Sequence, residues 1–394
     1  MVYDPLRQPL KTIYLFYELV ATVFVRIPFW VVIYTPRAFR PRRSWTLKKC
    51  LTVNIWRVVS PFGDIADRVG SIAPFPTHKA IPDTPGIKSV WLDPAPELVV
   101  DPVKSWADAA GVRPARIPGY WHGSEGADTP PRAHGKVIYY LHGGGFISLS
   151  AHPREVLAAI PRALLSCCPS PARAFAVEYR LTAGPPRPAH PFPASLLDAL
   201  AGYRYLVSVV GFAPADIVLV GDSAGGNLAL AFARYLVENR GDVLPAPPGA
   251  LILLSPWTDL GTSHEIPGSS LVTALSTDML ADVRTGVFRR ARKAYVGPLG
   301  FDGADANRYL SPGSRHERME KVSFVGFPRT FIVAGDAEIF LDQIRTLRDK
   351  MVGDMGEHAV AYFEAADAVH DFIAVTPDDP QIPHLLRKLK AWLA

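Results

Sequence analysis

Short runs of consecutive apolar residues alternate along the chain with segments in which apolar residues recur at helical spacing. The runs have the length and composition of buried strands, and they cover residues 89–92, 98–100, 116–121, 136–141, 174–178, 217–220, 249–255, 329–334 and 359–363. Helices are predicted at residues 51–70, 103–110, 153–165, 194–209, 228–236 and 341–351. This alternation predicts an α/β fold with a mostly parallel central sheet flanked by helices.

A long apolar segment near the N-terminus, residues 12–35, interrupts this pattern. Its Ile, Leu, Val and Phe residues favour insertion into a bilayer by about 4 to 8 kcal/mol, whereas Arg26 costs about 2.5–3.5 kcal/mol and Glu18 adds to that cost. A signal peptide would be shorter and would end in small residues, but Pro36 and a basic run follow here. Three alternatives remain: a membrane-spanning helix, a kinked helix in the membrane plane, or a hydrophobic helix folded over the functional site as part of a lid.

The basic run at residues 37–49 contains no acid. Its cations are Arg37, Arg40, Arg42, Arg43, Lys48 and Lys49. The net charge of the chain is +5 and the remainder is close to balanced, so a nucleic-acid-binding surface is not indicated. In the in-plane alternative, Arg26 and this run lie at lipid headgroups. We expect residues 12–50 to associate with a membrane or lipid surface. The positive flank of a spanning helix would place the following residues in the cytosol.

The composition indicates whether the chain folds and in which redox compartment it resides. Apolar residues make up 48% and charged residues 20% of the 394 positions, which predicts a folded globular chain. The cysteines Cys50, Cys167 and Cys168 have neither metal-ligand spacing nor the pattern of a disulfide framework. No N-glycosylation sequon occurs, and together these features favour a reducing compartment.

A serine follows one predicted strand directly. Residues 217–220 end in the motif Gly-Asp-Ser-Ala-Gly at 221–225, and a helical pattern begins at once. A strand, a sharp turn and a helix are the setting of a nucleophile elbow, which exposes the serine oxygen and needs glycines where side chains would collide. The alternative is a chance match in a glycine-rich turn. We predict that Ser223 is a nucleophile.

A glycine loop follows the strand at 136–141. The residues are His-Gly-Gly-Gly-Phe at 142–146, and their backbone N–H groups can approach a ligand closely. Acyl transfer needs such donors where negative charge develops on the carbonyl oxygen. We predict an oxyanion hole built from Gly143, Gly144 and Gly145 and from the N–H of Ala224, which follows the nucleophile. A plain flexible turn is the alternative.

An acid and a histidine complete the predicted chemistry. Three acids follow the strand at 329–334, namely Asp336, Glu338 and Asp342. His370 lies in the loop after the last predicted strand, and its order after the serine and the acid suits a general base. Arg180 is interpreted as a structural residue that braces its loop. Asp198 is interpreted as a structural ion-pair partner and not as the catalytic acid, because it precedes the nucleophile.

Together these motifs resemble the hormone-sensitive lipase type of α/β-hydrolase over roughly residues 90–394. The matching segments are 142–146, 178–181, 190–193, 221–226 and His370. The resemblance implies an α/β-hydrolase fold with a helical cap and an oxyanion hole formed mainly by Gly144 and Gly145. It also implies that the first acid of an Asp-x-x-x-Asp pattern is catalytic. Glu338 takes that place and Asp342 the second, while a spacing one residue longer from the preceding glycine keeps Asp336 as the alternative acid.

The chain departs from the family pattern at several points. Glu338 stands where an Asp is usual, which adds one methylene of reach. The usual His-Gly-Phe reads His-Asp-Phe here, so Asp371 can perturb the imidazole pKa or face water. The apolar N-terminal extension is outside the usual bacterial pattern and is similar to membrane-associated eukaryotic esterases of this group, including steryl-acetate hydrolases.

These observations divide the chain into five predicted regions. They are a membrane-association segment at 1–50, cap helices and a connection at 51–110, the first part of the hydrolase core at 111–260, a cap insertion without strands at 261–320, and the second part of the core at 321–394.

The expected activity is cleavage of a hydrophobic carboxylic ester, such as a short- to medium-chain acyl ester or a lipid-like acetate. Ser223, His370 and Glu338 would act through an acyl-enzyme that requires no cofactor and no metal. The alternatives are a small-ligand receptor on the same fold, a membrane-anchored interaction protein, and an acyltransferase that uses the same residues. We expect a membrane-associated protein, with the endoplasmic reticulum and lipid droplets as candidate locations. The sequence does not indicate its oligomeric state.

Overall fold

The computed structural model describes residues 10–59, 88–123, 135–167, 173–185, 188–241 and 243–394. Apolar segments in these ranges form the strands of an eight-stranded sheet. The strands are β1 (Lys88–Leu92), β2 (Ile117–His122), β3 (Val137–Leu141), β4 (Arg173–Val177), β5 (Ile217–Asp222), β6 (Ala250–Leu254), β7 (Arg329–Gly335) and β8 (Val360–Ala365).

The sheet has the strand order β1-β2-β4-β3-β5-β6-β7-β8. β2 is antiparallel to both β1 and β4, and all other neighbouring strands are parallel. Every residue of β3, β4, β5 and β6 is buried, as expected for central strands covered by helices. The carboxyl ends of β3 to β8 therefore meet at one edge, the usual position of a ligand site in such sheets. The predicted mostly parallel α/β fold is confirmed.

Helices cover this sheet and extend beyond it. Within the described ranges they are α1 (Leu10–Ala21), α2 (Ile27–Tyr34), α3 (Leu47–Val59), α4 (Val103–Ala109), α5 (Ala159–Cys167), α6 (Ala194–Arg204), α7 (Ser223–Glu238), α8 (Ser270–Thr273), α9 (Gly286–Val296), α10 (Gly300–Ala306), α11 (Leu341–Met355), α12 (Phe372–Val375) and α13 (Gln381–Leu393). The helix predicted at 153–165 begins with a 3-10 turn at Val156–Ala158, and the one predicted at 194–209 ends in a π turn at Tyr205–Val210.

The strand predicted at residues 98–100 is wrong. Pro96–Leu98 is a short 3-10 turn. The hydroxyl of Tyr235 on α7 donates to the Leu98 carbonyl at 2.7 Å and accepts from the Val100 N–H at 2.7 Å. A side chain from a helix thus satisfies the backbone groups that a strand would use in a sheet.

The N-terminal apolar helix runs through α1, a π turn at Thr22–Arg26 and α2. Thr12–Tyr34, 23 residues, is long and apolar enough to cross a membrane, by length and composition alone. Its side chains are largely exposed, with Phe24 72% and Val32 73% exposed. This exposure contradicts the alternative of a helix folded over the site as a lid.

The charges inside this helix neutralise each other. Arg26 Nη1 lies 2.5 Å from Glu18 Oε2 and donates to Thr22 Oγ1 at 2.9 Å. The guanidinium of Arg26 is therefore bound within the helix.

The following segment, residues 37–59, packs onto the core, and we call it the N-terminal arm. Cys50 and Val53 of α3 are fully buried, so the boundary predicted at residue 50 falls inside a helix. The part of the predicted helix after residue 59 lies outside the described residues. Most of the arm's cations bind the protein itself. Arg40 binds backbone carbonyls, and Arg42, Lys48 and Lys49 bind acids.

The described cysteines, Cys50 and Cys167, are both buried and form no disulfide bond with a described residue. Cys168 lies outside the described residues.

Candidate active site

Ser223 is the first residue of α7 and directly follows β5. Its φ is +50°, a left-handed conformation that costs a non-glycine residue about 1–3 kcal/mol. The flanking glycines make this turn possible. A Cβ on Gly221 would lie 2.2 Å from the Gly225 carbonyl oxygen, and one on Gly225 would lie 2.1 Å from the Leu141 carbonyl oxygen. Residues 221 and 225 must therefore be glycines, because any Cβ atom there would collide with the neighbouring backbone.

Asp222, next to the serine, joins the elbow to the glycine loop. Its carboxyl group accepts from the Tyr140 hydroxyl at 2.6 Å and from the Gly143 N–H at 3.0 and 3.1 Å. A Cβ on Gly143 would lie 2.3 Å from Asp222 Oδ2. The inclusion of Gly143 among the oxyanion donors is corrected by this geometry, because its N–H is already bound.

Gly144 and Gly145 hold the loop in a left-handed conformation, with φ of +105° and +62°. The Gly144 carbonyl accepts from the Ile147 and Ser148 N–H groups. Among the described residues, no acceptor binds the N–H of Gly144 or Gly145. Ala224 stands in the first turn of α7, where backbone N–H groups lack a partner within the helix. These three N–H groups lie at the edge that carries Ser223.

The loop between β8 and α12 carries His370, which is 1% exposed. Its Nδ1 lies 3.5 Å from Glu338 Oε2, and its Nε2 lies 3.2 Å from Asp371 Oδ2. The ring of Phe340 packs edge-on against the imidazole at 5.2 Å. The structure thus holds one histidine between two carboxylates.

The three candidate acids have separate surroundings. Glu338 is fully buried beside His370, and neither of its carboxyl oxygens has a hydrogen-bond partner among the described residues. Asp336 pairs with Arg42 at 2.5 Å and accepts from the Asp367 N–H at 2.7 Å. Asp342 accepts from the Ser270 N–H at 2.8 Å. Of the three, Glu338 is the acid at the imidazole. Its contact of 3.5 Å is long for a hydrogen bond, as is common in free enzymes.

Asp278 is a site residue that the sequence did not single out. It belongs to the insertion, is buried, and accepts from the His370 N–H at 3.0 Å and the Ile339 N–H at 2.8 Å. It therefore joins the histidine loop to the turn that carries Glu338. No motif or periodicity marks this Asp within its irregular segment.

Burial dominates the electrostatics of the site. It raises the pKa of Glu338 to about 7, although the neighbouring His370 acts in the opposite direction. It also raises the pKa of Asp278, against the lowering effect of His370. Burial alone lowers the pKa of His370, but the charges of Asp371 and Glu338 outweigh it and raise that pKa well above its usual value.

Two braces surround these groups. Arg180 donates through its side chain and its backbone N–H to Asp198, with a contact of 2.8 Å between Nη2 and Oδ1, which agrees with the structural role predicted for this pair. The N-terminal arm supplies the second brace. Arg42 binds both Asp336 and Asp367, and Trp45 Nε1 donates to the Asp367 carbonyl at 3.0 Å.

The insertion covers the glycine loop. A Cβ on Gly145 would lie 3.9 Å from the ring of Phe288 on α9, and Phe146 stacks on Tyr295 of the same helix. Ser223 is 7% exposed. Aromatic side chains of α9 therefore lie against the glycine loop.

Comparison with known proteins gives consistent matches. The alpha/beta hydrolase fold family matches residues 138–374. An acetyl-hydrolase of Streptomyces hygroscopicus is 31% identical over 239 residues, 60% of this chain and 69% of that protein. The esterase LipU of Mycobacterium tuberculosis is 28% identical over 260 residues, 66% of this chain and 77% of that protein. The crystal structure of an esterase from the bacterial hormone-sensitive lipase family superposes with a TM-score of 0.55 at 23% identity, covering 93% of this chain and 96% of that one.

Proposed function

Because this chain belongs to the alpha/beta hydrolase fold family and is similar to an acetyl-hydrolase and an esterase, we propose that it is an esterase of the hormone-sensitive lipase type and that Ser223, His370 and Glu338 form its catalytic triad. One observation carries the proposal. A serine in a left-handed turn, free glycine N–H groups and an imidazole beside a buried carboxylate meet at one edge of the sheet.

In the proposed reaction, His370 Nε2 accepts the proton of Ser223 as the serine oxygen attacks the ester carbonyl. The imidazolium then donates this proton to the departing alcohol. A water molecule, deprotonated by the same nitrogen, attacks the acyl-enzyme and releases the carboxylic acid and free serine. Glu338 acts at Nδ1, where its charge orients the ring and stabilises the imidazolium.

The oxyanion would be bound by the N–H groups of Gly144, Gly145 and Ala224. Each such donor contributes about 3–4 kcal/mol to the transition state of acyl transfer, because the donors are fixed in place before charge develops. The contact of Gly143 with Asp222 supports this role indirectly, since it fixes the loop against the elbow.

We infer a hydrophobic ester as the substrate class. The apolar side chains of α9 above the glycine loop, including Phe288, suit an acyl or alcohol group of low polarity. The exposed N-terminal apolar helix supports attachment to a membrane, where such esters concentrate. Pairing of Arg26 with Glu18 lowers the cost of inserting this helix, so a membrane span is the form we propose.

Assays of p-nitrophenyl acetate and butyrate hydrolysis test the triad. We expect Ser223→Ala and His370→Ala each to lower kcat by about ten-thousandfold or more, because each removes a group that changes covalent or protonation state in the reaction. Unchanged hydrolysis by Ser223→Ala would rule out the triad. A bound ester that is never turned over by wild-type protein would instead favour a receptor.

A further inference from the structure

Asp371 occupies an unusual position beside the proposed base. Its φ is +49°, which glycine adopts without strain, and its side chain is almost fully buried. Its N–H donates to Ser255 Oγ at 3.2 Å, and its Oδ2 lies 3.2 Å from His370 Nε2. Its Oδ1 has no hydrogen-bond partner among the described residues.

This contact involves the nitrogen that the reaction needs. A carboxylate offers acceptors only, so its contact with Nε2 is favourable when that nitrogen carries a proton. If the proton lies on the carboxyl group instead, the Nε2 lone pair accepts it. In both forms the lone pair is unavailable to Ser223, and among the described residues no hydrogen bond joins Ser223 Oγ to the imidazole.

We propose that Asp371 is a positioning residue that holds His370 Nε2 in a protonated resting contact, so that Ser223 is activated only after the His370–Asp371 pair has lost one proton. This inference rests on the proposed triad. The step is balanced: the pair releases one proton to water, Nε2 regains its lone pair, and the serine proton then moves to Nε2.

The groups that face this pair come from four elements. They are Glu338 after β7, Asp278 in the insertion, Asp222 at the end of β5 and Tyr140 on β3. Arg57 of α3 lies behind Asp278, where its Nε donates to the Asp278 carbonyl at 2.6 Å. The carboxyl groups of this cluster make the surroundings of the His370 imidazole negative, and negative surroundings favour the protonated imidazole.

The protonation of Asp222 agrees with this picture. Burial and the charge of Asp371 raise the pKa of Asp222 well above its usual range. The inference itself stands on the contact of 3.2 Å and on the absence of a donor on a carboxylate.

The pH dependence of kcat/KM for p-nitrophenyl butyrate tests the proposal. A base that must lose a proton gives a rate that rises with pH through its pKa. In wild-type protein we expect kcat/KM to rise at pH values above about 6.5, the ordinary pKa of histidine. In Asp371→Gly it should move to lower pH by about one unit or more, which is a tenfold gain on the acid side. Glycine suits the backbone conformation at this position.

Two further variants separate the effect of the Asp371 charge from the effects of its side-chain shape and of a charge elsewhere on the protein. Asp371→Asn keeps the side-chain shape, is tolerated at positive φ, and should also move the rise to lower pH. Glu364→Gln, which removes a carboxylate paired with Arg345, is the matched charge control and should leave the rise in place. A pH profile that is the same in wild type, Asp371→Gly and Asp371→Asn would overturn the role of Asp371. Activity that persists in Ser223→Ala would instead overturn the triad on which it rests.

Discussion

At the residue scale, Glu338 and Asp336 stand on the same turn after β7, but they have different surroundings. Glu338 is sealed in the core beside His370, whereas the Asp336 side chain is 30% exposed and bound to Arg42. An acid that stabilises an imidazolium must face it across a space from which water is excluded. Of these two acids, Glu338 meets this condition and Asp336 does not.

The two acids therefore predict different mutant activities. We expect Glu338→Gln to lower kcat by roughly a thousandfold to ten-thousandfold, because a neutral amide does not stabilise the imidazolium. Asp336→Asn should change kcat by less than about fivefold, since a partly exposed ion pair contributes up to about 1 kcal/mol. Steady-state kinetics with a soluble p-nitrophenyl ester measure both. The reverse order of activities would make Asp336 the acid.

Ser223 and His370 could be predicted from the sequence for a physical reason. Both follow strands of the sheet, and these strands are recognisable in the sequence because a buried sheet requires runs of apolar residues. Asp278 could not be found in this way, because it reaches His370 from an insertion without strands. Gly143 shows a second limit. The sequence indicates that a glycine is needed, but not that its N–H is bound to Asp222.

At the element scale, the N-terminal arm fastens the acid and base loops together. Arg42 bridges Asp336 and Asp367, and the Asp367 N–H itself donates to Asp336. Glu338 and His370 follow these two acids closely along the chain. The apolar helix that precedes the arm is thus joined to both loops that carry the proposed acid and base. The sequence places most of this arm in a predicted membrane-association segment, because its basic residues are typical of lipid contact. Their acid partners lie far away in the chain, so the sequence alone does not reveal these ion pairs.

Removing this brace should affect catalysis. We expect Arg42→Ala to lower kcat by about tenfold while the overall fold persists, because small displacements of reacting groups have large effects on rate. Lys48→Ala, in an exposed pair with Asp378, is the matched control and should retain wild-type kcat. Equal kcat values for the two variants would show that the arm does not position the loops.

At the scale of the whole molecule, an exposed apolar helix stands beside a domain with a buried site. Soluble proteins rarely expose an apolar surface of this extent. The fold class was predictable from strand and helix periodicity, whereas the exposure of this helix was not, because a buried lid helix and a lipid-facing helix have the same composition. The structure separates the two through side-chain burial.

Membrane binding through this helix has a direct test. The double variant Phe24→Asp/Val32→Asp places charges on exposed apolar positions, each costing about 2.5–3.5 kcal/mol at the centre of a bilayer. We expect it to lose association with phosphatidylcholine vesicles in a flotation assay while it still hydrolyses a soluble ester. Val209→Asp, at an apolar position 66% exposed elsewhere on the protein, should float like wild type. Undiminished flotation of the double variant would argue against this helix as the anchor.

The nucleophilic role of Ser223 is tested most directly by covalent labelling with a fluorophosphonate, followed by mass spectrometry of the intact protein and its peptides. The proposed triad predicts one adduct per chain, located on Ser223, formed much more slowly in His370→Ala and absent in Ser223→Ala. An adduct on another residue, or labelling of Ser223→Ala at the wild-type rate, would contradict it.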